Sequence, residues 1–333
     1  MLQKILISRT DAIGDLILTL PMVDVIKQNI ADAKVFILAQ NYNKSIVQSA
    51  PLVDGFIDWT ELEKQKESDI IAELQKQNFD AIINVFPNKK IAKASKQAAI
   101  PIRIGTSHRY YHWLTCNRLI NLSRKKSNLH EAQLNIMLLK KLNIPSEFTL
   151  DEIKKFGRII PFAKLPDDIN LLINKSSNRK IILHPKSKGS AKNWNIFNFM
   201  KLAEILYKNN FDVFITGTAE ESDLIRTELG SKIPNATDLM GKLTLSELIT
   251  FISKCDFLVA CSTGPLHIGA ALGINVIGLY PPIRPMHPVR WRPIGNANVL
   301  CANKECSICR KSANCKCIDE ISPEQVLKII LDK

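Results

Sequence analysis

The chain has 333 residues, 46% hydrophobic and 23% charged, the composition of a globular protein long enough for two full cores. Its 45 Lys and Arg against 32 Asp and Glu leave a formal charge of +13, pointing to an anionic partner such as nucleic acid, a phosphorylated sugar or an acidic membrane surface. No apolar run is long enough to span a bilayer, and Arg9, Asp11 and Asp15 interrupt the apolar stretch a signal peptide needs, so a cytosolic protein is expected.

In chain order, short apolar runs alternate with amphipathic stretches. Lys4–Ser8 reads as a strand, followed by a polar turn and a helix reaching about residue 27. Lys34–Ala39 is a second strand, 68–77 a helix, 81–85 a strand, 90–98 a helix, 102–104 a short strand and 131–142 a helix. Pro145, Pro161, Pro166 and the run Lys175-Ser176-Ser177-Asn178-Arg179 then break the pattern. It restarts with a strand at 180–183, the Ile196–Lys208 helix, a strand at 211–216, helices at 220–229 and 245–254, and the strands Phe257–Cys261 and Asn275–Tyr280 around a helix. Pro323–Leu331 is a last helix, with Ser322 as cap and Pro323 at its first position. Such alternation predicts an α/β protein with mainly parallel sheets. The expected division is 1–160, a linker at 161–179, a second domain at 180–318 and a terminal helix segment at 319–333. In doubly wound folds ligands bind beyond the carboxyl ends of the strands, so the turns there are the candidates.

The most informative turn is Ser262-Thr263-Gly264-Pro265-Leu266-His267, between Phe257–Cys261 and a helix. A helix opening on small residues and Pro265 leaves backbone N–H groups free at its tip, and with the helix dipole these seat a phosphate. The first turn, Arg9-Thr10-Asp11-Ala12-Ile13-Gly14-Asp15, offers Asp15 as a general base, with a helix-capping aspartate as the alternative. A third turn, from His184 to Trp194, supplies hydroxyls and cations, including Ser187 and Lys192, suited to a pyrophosphate; a basic surface loop is the alternative. A fourth, Thr216-Gly217-Thr218-Ala219-Glu220-Glu221, puts carboxylates where ribose hydroxyls are held in other nucleotide folds, or where first-turn acids complement a helix dipole. Residues 86–126 hold ten Lys and Arg and no acid, interleaved with Tyr110, Tyr111 and Trp113. Five of the eight cysteines crowd the end as Cys301, Cys306, Cys309, Cys315 and Cys317. Four thiolates could hold zinc, but a single Cys-x2-Cys pair is half of a zinc-ribbon spacing, so these thiols are read as free and no metal is assigned.

Together the motifs resemble the family-nine glycosyltransferases, the bacterial lipopolysaccharide heptosyltransferases. The likeness rests on Ile5-Leu6-Ile7 with Gly14-Asp15-Leu16-Ile17-Leu18-Thr19-Leu20-Pro21, on Ile102-Arg103-Ile104-Gly105, on the helix after His130, on Lys192-Asn193-Trp194 and on Ser262 to His267. It implies a GT-B fold: two Rossmann-like domains facing across a cleft, the last helix returning to the first domain. It implies inverting, metal-independent transfer of a sugar, heptose from ADP-heptose, onto a lipopolysaccharide core, with no cofactor. By resemblance Asp15 is the general base and Lys192 steadies the diphosphate. Ser187, Glu220 or Glu221, Ser262, Thr263, Gly264 and His267 would hold the donor, and Gly14, Arg103 and Arg109 the acceptor. The basic 86–126 segment would meet the anionic acceptor and the inner face of the inner membrane. Arg284, His287 and Arg290 could contact donor phosphate or buttress their loop. One departure is Ser262, where many family members carry aspartate, which leaves the sugar preference open. The rival classes are a nucleotide-sugar epimerase of the same fold and a basic nucleic-acid-binding protein; nucleic acid is not the expected partner.

Overall fold

A computed structural model describes residues 2–187, 192–230, 233–283, 286–302, 306, 308–309 and 315–333. The chain divides into two compact units, Met1–Ile160 and Pro161–Lys333.

The first unit is a parallel six-stranded sheet of β1 (Lys4–Ser8), β2 (Lys34–Ala39), β3 (Gly55–Asp58), β4 (Ala81–Asn84), β5 (Ile102–Thr106) and β6 (Arg118–Ile120), in the order β3-β2-β1-β4-β5-β6. The second repeats this with β7 (Lys180–His184), β8 (Asp212–Ile215), β9 (Thr237–Asp238), β10 (Phe257–Cys261), β11 (Asn275–Tyr280) and β12 (Ala297–Cys301), ordered β12-β11-β10-β7-β8-β9. Both follow the 3-2-1-4-5-6 order of dinucleotide-binding folds. Helices on both faces explain the near-continuous apolar runs of the central strands: Ile5, Leu6 and Ile7 in β1 and Phe257 to Ala260 in β10 are fully buried. The direction of winding reverses between β1 and β4 and between β7 and β10, so each sheet has its crevice at the ends of those strands.

Three local expectations are corrected. The helix expected to reach residue 27 is two helices, Ile13–Ile17 and Pro21–Asn29, because Pro21 has no N–H to continue the first and opens the second instead. The expected 131–142 helix is α-helical over Glu131–Ile136 and tightens to 3₁₀ over Met137–Leu142, ending at left-handed Asn143. The expected linker contains a helix, Asp167–Ile173, whose Ile169 and Ile173 are buried; Asp167 and Asp168 in its first turn complement its dipole.

The last helix, expected to return to the first domain, is part of the second unit. Its stripe of Val326 and Ile330, four residues apart, is buried in one core with Phe199, Leu202 and Leu206 of the Ile196–Lys208 helix, and Lys201 pairs with Glu324 at 2.7 Å. Among the described residues no helix is long and apolar enough to cross a membrane.

Candidate active site

In the first unit the chain leaves β1 at Ser8 and turns into the Ile13–Ile17 helix beside the β1/β4 crevice. Arg9 organises this turn. Its side chain is 3% exposed, and its three guanidinium nitrogens pair with Asp11 at 2.7 Å, with Asp15, and with Glu131 at 3.0 Å. Glu131, 1% exposed, also accepts from Arg124 Nε at 3.0 Å. Asn135 accepts from Arg124 at 2.8 Å and donates to the Leu18 carbonyl at 3.0 Å, tying the Glu131–Ile136 helix to the Asp15 helix. Three carboxylates thus share two guanidinium groups, which leaves the cluster one negative charge in excess when all are ionised. Asp11 and Asp15 keep about a fifth of their side-chain surface open to solvent.

Burial pushes the Asp15 carboxyl up, and Arg9 pulls it partly back. Burial likewise raises Asp11, against the pull of Arg9 and with the push of Asp15, to about 7. A carboxylate held above its usual range and still reached by solvent is equipped to accept a proton near neutral pH. The capping alternative for Asp15 is not what the structure shows. The helix has Ala12 at its N-cap, and the Asp15 carboxylate is turned to Arg9. Gly14 is the residue before it, in the helix's first turn.

Arg103 and Arg109 lie elsewhere in this unit. The Arg103 guanidinium donates to the Thr115 carbonyl at 2.8 Å and the Ile100 carbonyl at 2.5 Å, so two of its nitrogens staple backbone to backbone. Arg109 is exposed, just ahead of the Tyr110–Thr115 helix. That helix carries an outward group of Tyr110, Trp113 and Leu114, with Trp113 65% exposed and Lys89 over the Tyr110 ring at 5.9 Å.

In the second unit three neighbouring strands deliver the other site residues. From β7 comes buried His184, whose Nδ1 lies 3.0 Å from Thr216 Oγ1 and whose Nε2 lies 4.0 Å from Glu221. Burial lowers the pKa of this imidazole, against the pull of Glu221, which favours the neutral ring. Further along, Ser187 donates to Asn193 Oδ1 at 2.9 Å and Lys192 is half-buried; residues 188–191 between them lie outside the described residues, as does Arg284. Trp194 locks the end of this loop, its indole N–H on the Ile321 carbonyl at 2.9 Å.

From β8 comes the turn at Glu220 and Glu221, which behave differently. Glu221 closes a capping box, one oxygen accepting the Thr218 N–H at 2.8 Å, and is buried; Glu220 is exposed. The acid at the expected ribose position therefore has a capping role of its own.

From β10 comes the Gly264–Leu272 helix, with Thr263 at its N-cap and Pro265 in its first turn. Thr263 makes no capping bond, and its hydroxyl, on a residue 5% exposed, has no hydrogen-bond partner among the described residues. A buried hydroxyl without a partner is costly, and here it stands at a helix N-terminus that already favours an anion. Ser262 shares a hydrogen bond with the Tyr280 hydroxyl, which donates to the Trp291 carbonyl at 2.9 Å. Ser262 thus fastens the end of β11. His267 is buried one turn into the helix, and Gly273 ends it at φ 90°, a conformation only glycine adopts readily. His287 caps the Pro288–Trp291 helix by accepting the Val289 N–H at 3.2 Å, and Arg290 lies over the Trp291 ring, so both serve at least as buttresses.

If the Thr263 hydroxyl waits for a phosphate oxygen, Thr263→Val should leave the melting temperature of the free protein unchanged or slightly higher. ADP affinity should fall about tenfold, the worth of one hydrogen bond to a charged group. Calorimetric titration showing unaltered ADP affinity would remove Thr263 from the site.

Two doubly wound units, one bearing a solvent-reached carboxylate cluster and the other a helix N-terminus with a buried hydroxyl, are the parts of a two-unit α/β glycosyltransferase. Residues 68–317 match Glycosyltransferase family 9 (heptosyltransferase), and the chain belongs to that family. Lipopolysaccharide heptosyltransferase 3 of Escherichia coli K12 is 24% identical over 296 residues, covering 84% of this chain and 82% of that protein. The glycosyl transferase family 9 structure from Veillonella parvula DSM 2008 superposes with a TM-score of 0.76 at 19% identity, covering 99% of this chain and 98% of that one. E. coli heptosyltransferase WaaC with ADP gives a TM-score of 0.75 at 18% identity, covering 99% of each.

Proposed function

We propose that this glycosyltransferase moves heptose from ADP-heptose onto a lipopolysaccharide core or related cell-envelope glycan, inverting the anomeric centre in one displacement. Asp15 accepts the proton of an acceptor hydroxyl as that oxygen bonds to the anomeric carbon. The bond from the anomeric carbon to the diphosphate breaks, and ADP leaves with the electron pair. Charge on the leaving diphosphate is met by the N–H groups of Thr263 and Gly264, by Lys192 and by Ser187. Glu220 or the second oxygen of Glu221 takes the ribose, and His267 completes the donor seat. No metal takes part in this step; the cations and helix dipole supply the positive charge. Gly14 lets the acceptor approach Asp15 closely.

The single observation that carries the donor half is the buried Thr263 hydroxyl at the Gly264–Leu272 helix N-terminus, which has no hydrogen-bond partner among the described residues. The acceptor half rests on the solvent-reached Asp11/Asp15 pair. The exposed Tyr110, Trp113 and Leu114 beside Lys89 and Arg109 suit a peripheral seat on an anionic membrane face, where aromatic rings sit at headgroup depth and each basic residue adds about 1 kcal/mol. The related heptosyltransferases are named for lipopolysaccharide, an anionic acceptor that suits a chain of charge +13.

The test is a thermal-shift panel of nucleoside diphosphates and their sugars. ADP and ADP-heptose at about 100 times their Kd should stabilise the fold by roughly 2.7 kcal/mol, and UDP should not. A shift with UDP alone overturns the nucleobase, and conversion of a nucleotide sugar without an acceptor replaces transfer by epimerisation.

A further inference from the structure

Four of the five C-terminal cysteines converge. The sulfurs of Cys306, Cys309, Cys315 and Cys317 all lie within 4.8 Å of one another, the nearest pairs at 2.8 Å (Cys309–Cys317), 3.2 Å (Cys306–Cys315) and 3.3 Å (Cys309–Cys315). All four are free thiols. A tetrahedral zinc thiolate with bonds of about 2.3 Å has sulfur–sulfur edges of about 3.8 Å, within the range that these sulfurs span. Each would need to move by about an ångström or less to become a ligand. The spacing Cys-x2-Cys-x5-Cys-x-Cys looked like half a zinc ribbon. In space Cys315 and Cys317 fold back and supply the other half.

We propose that Cys306, Cys309, Cys315 and Cys317 bind one soft, tetrahedral metal ion, zinc or ferrous iron, through four thiolates. Four Sγ–H bonds break as four metal–sulfur bonds form, and four protons leave to solvent. The site then carries a charge of −2, and Lys316 lies between the ligands Cys315 and Cys317 in the chain. A full set of four protein ligands leaves no open position, so the ion is structural.

Its place in the fold gives it a task. Directly after Cys317 the chain buries Ile318 and Ile321 in the second core. On the way Asp319 accepts the Asn195 N–H at 2.8 Å and the Ile321 carbonyl accepts the Trp194 indole at 2.9 Å. The ion fixes the start of the strap that fastens Trp194 and Asn195, and Lys192 is two residues before Trp194. Metal occupancy therefore positions the Lys192 loop; this second step rests on the donor role proposed for Lys192, whereas the metal site itself does not.

The experiment uses the full chain, expressed with zinc and iron in the medium and purified under reductant. Elemental analysis should give about one ion per chain. A colourless protein identifies zinc, and thiolate-to-iron charge-transfer bands identify iron; either supports the site. Cobalt loaded into stripped protein should show tetrahedral thiolate bands. Cys317→Ser should lose the ion, while Cys255→Ser, a buried thiol away from the group, should keep it. Stripping should weaken ADP binding at least threefold. Less than about a tenth of an ion per chain, with the four thiols freely titratable or paired as disulfides, overturns the site. One ion bound with ADP affinity unmoved by stripping overturns the link to Lys192. Because metal content is read without substrate, failure of the proposed transfer activity would leave this result standing.

Discussion

Asp15→Asn is expected to lower transfer by about 10²–10⁴-fold while leaving ADP affinity unchanged. The substitution keeps the side chain's shape and its contact with Arg9 but removes the proton acceptor. It does not touch the donor residues of the second unit. The same assignment fixes a pH profile. A general base works only when deprotonated, so kcat/KM should rise with pH. Burial raises both Asp11 and Asp15, and Asp11 reaches about 7, so the rise should centre near there and belong to the pair rather than to one residue. In Asp11→Asn the carboxyl whose hydrogen bond lowers Asp15, and which itself is raised to about 7, is gone, so the acid limb should move away from that value. Retained activity in Asp15→Asn, or an acid limb unmoved by Asp11→Asn, would take the base role away from this pair.

The sequence showed the sheets' centres and hid their edges. The inner strands of both sheets, β1, β2, β4 and β5 in one and β7, β8, β10 and β11 in the other, stand out as apolar runs because helices cover both faces. The four strands that periodicity missed, β3, β6, β9 and β12, are the four edges. Edge strands are short and half-buried, so they need no apolar run; Thr237–Asp238 is two polar residues. The same logic divides the site. Asp15, Thr263 and Gly264 were legible because a turn after a strand is a local pattern. The pairing of Arg9 with Glu131 spans 122 positions, and no local pattern carries that. The nearest signal was the motif likeness around Arg9 and after His130, which named both neighbourhoods without joining them. The thiol group shows the same limit, since a spacing of five and one residues reads as irregular until the chain folds back.

Arg9 should prove the most costly residue in the first unit to replace, although it need not touch substrate. Arg9→Met keeps much of the stem's volume and removes the guanidinium from between Asp11, Asp15 and Glu131. Breaking a buried ionic group by deleting one partner costs about 3–5 kcal/mol, because the charges left behind stay out of water unpaired. The loss should therefore depend on pH, which a mere packing defect would not. With Arg9 gone, three carboxylates face Arg124 alone and hold their protons more tightly than in the unfolded chain, where carboxyls titrate near about 4. The folded variant then binds more protons than the unfolded one, so its stability falls as pH rises above that value. Wild-type protein has the same sign at Asp11, already raised to about 7, but Arg9 limits the effect. The gap between variant and wild type should accordingly be small near pH 5 and widen toward pH 7.5. Glu131→Gln added to Arg9→Met should recover part of it. Urea unfolding at the two pH values measures this directly, and a gap below about 1 kcal/mol, or one equal at both, would mean that Arg9 is not the counter-charge that lets Asp15 stay ionised in the fold.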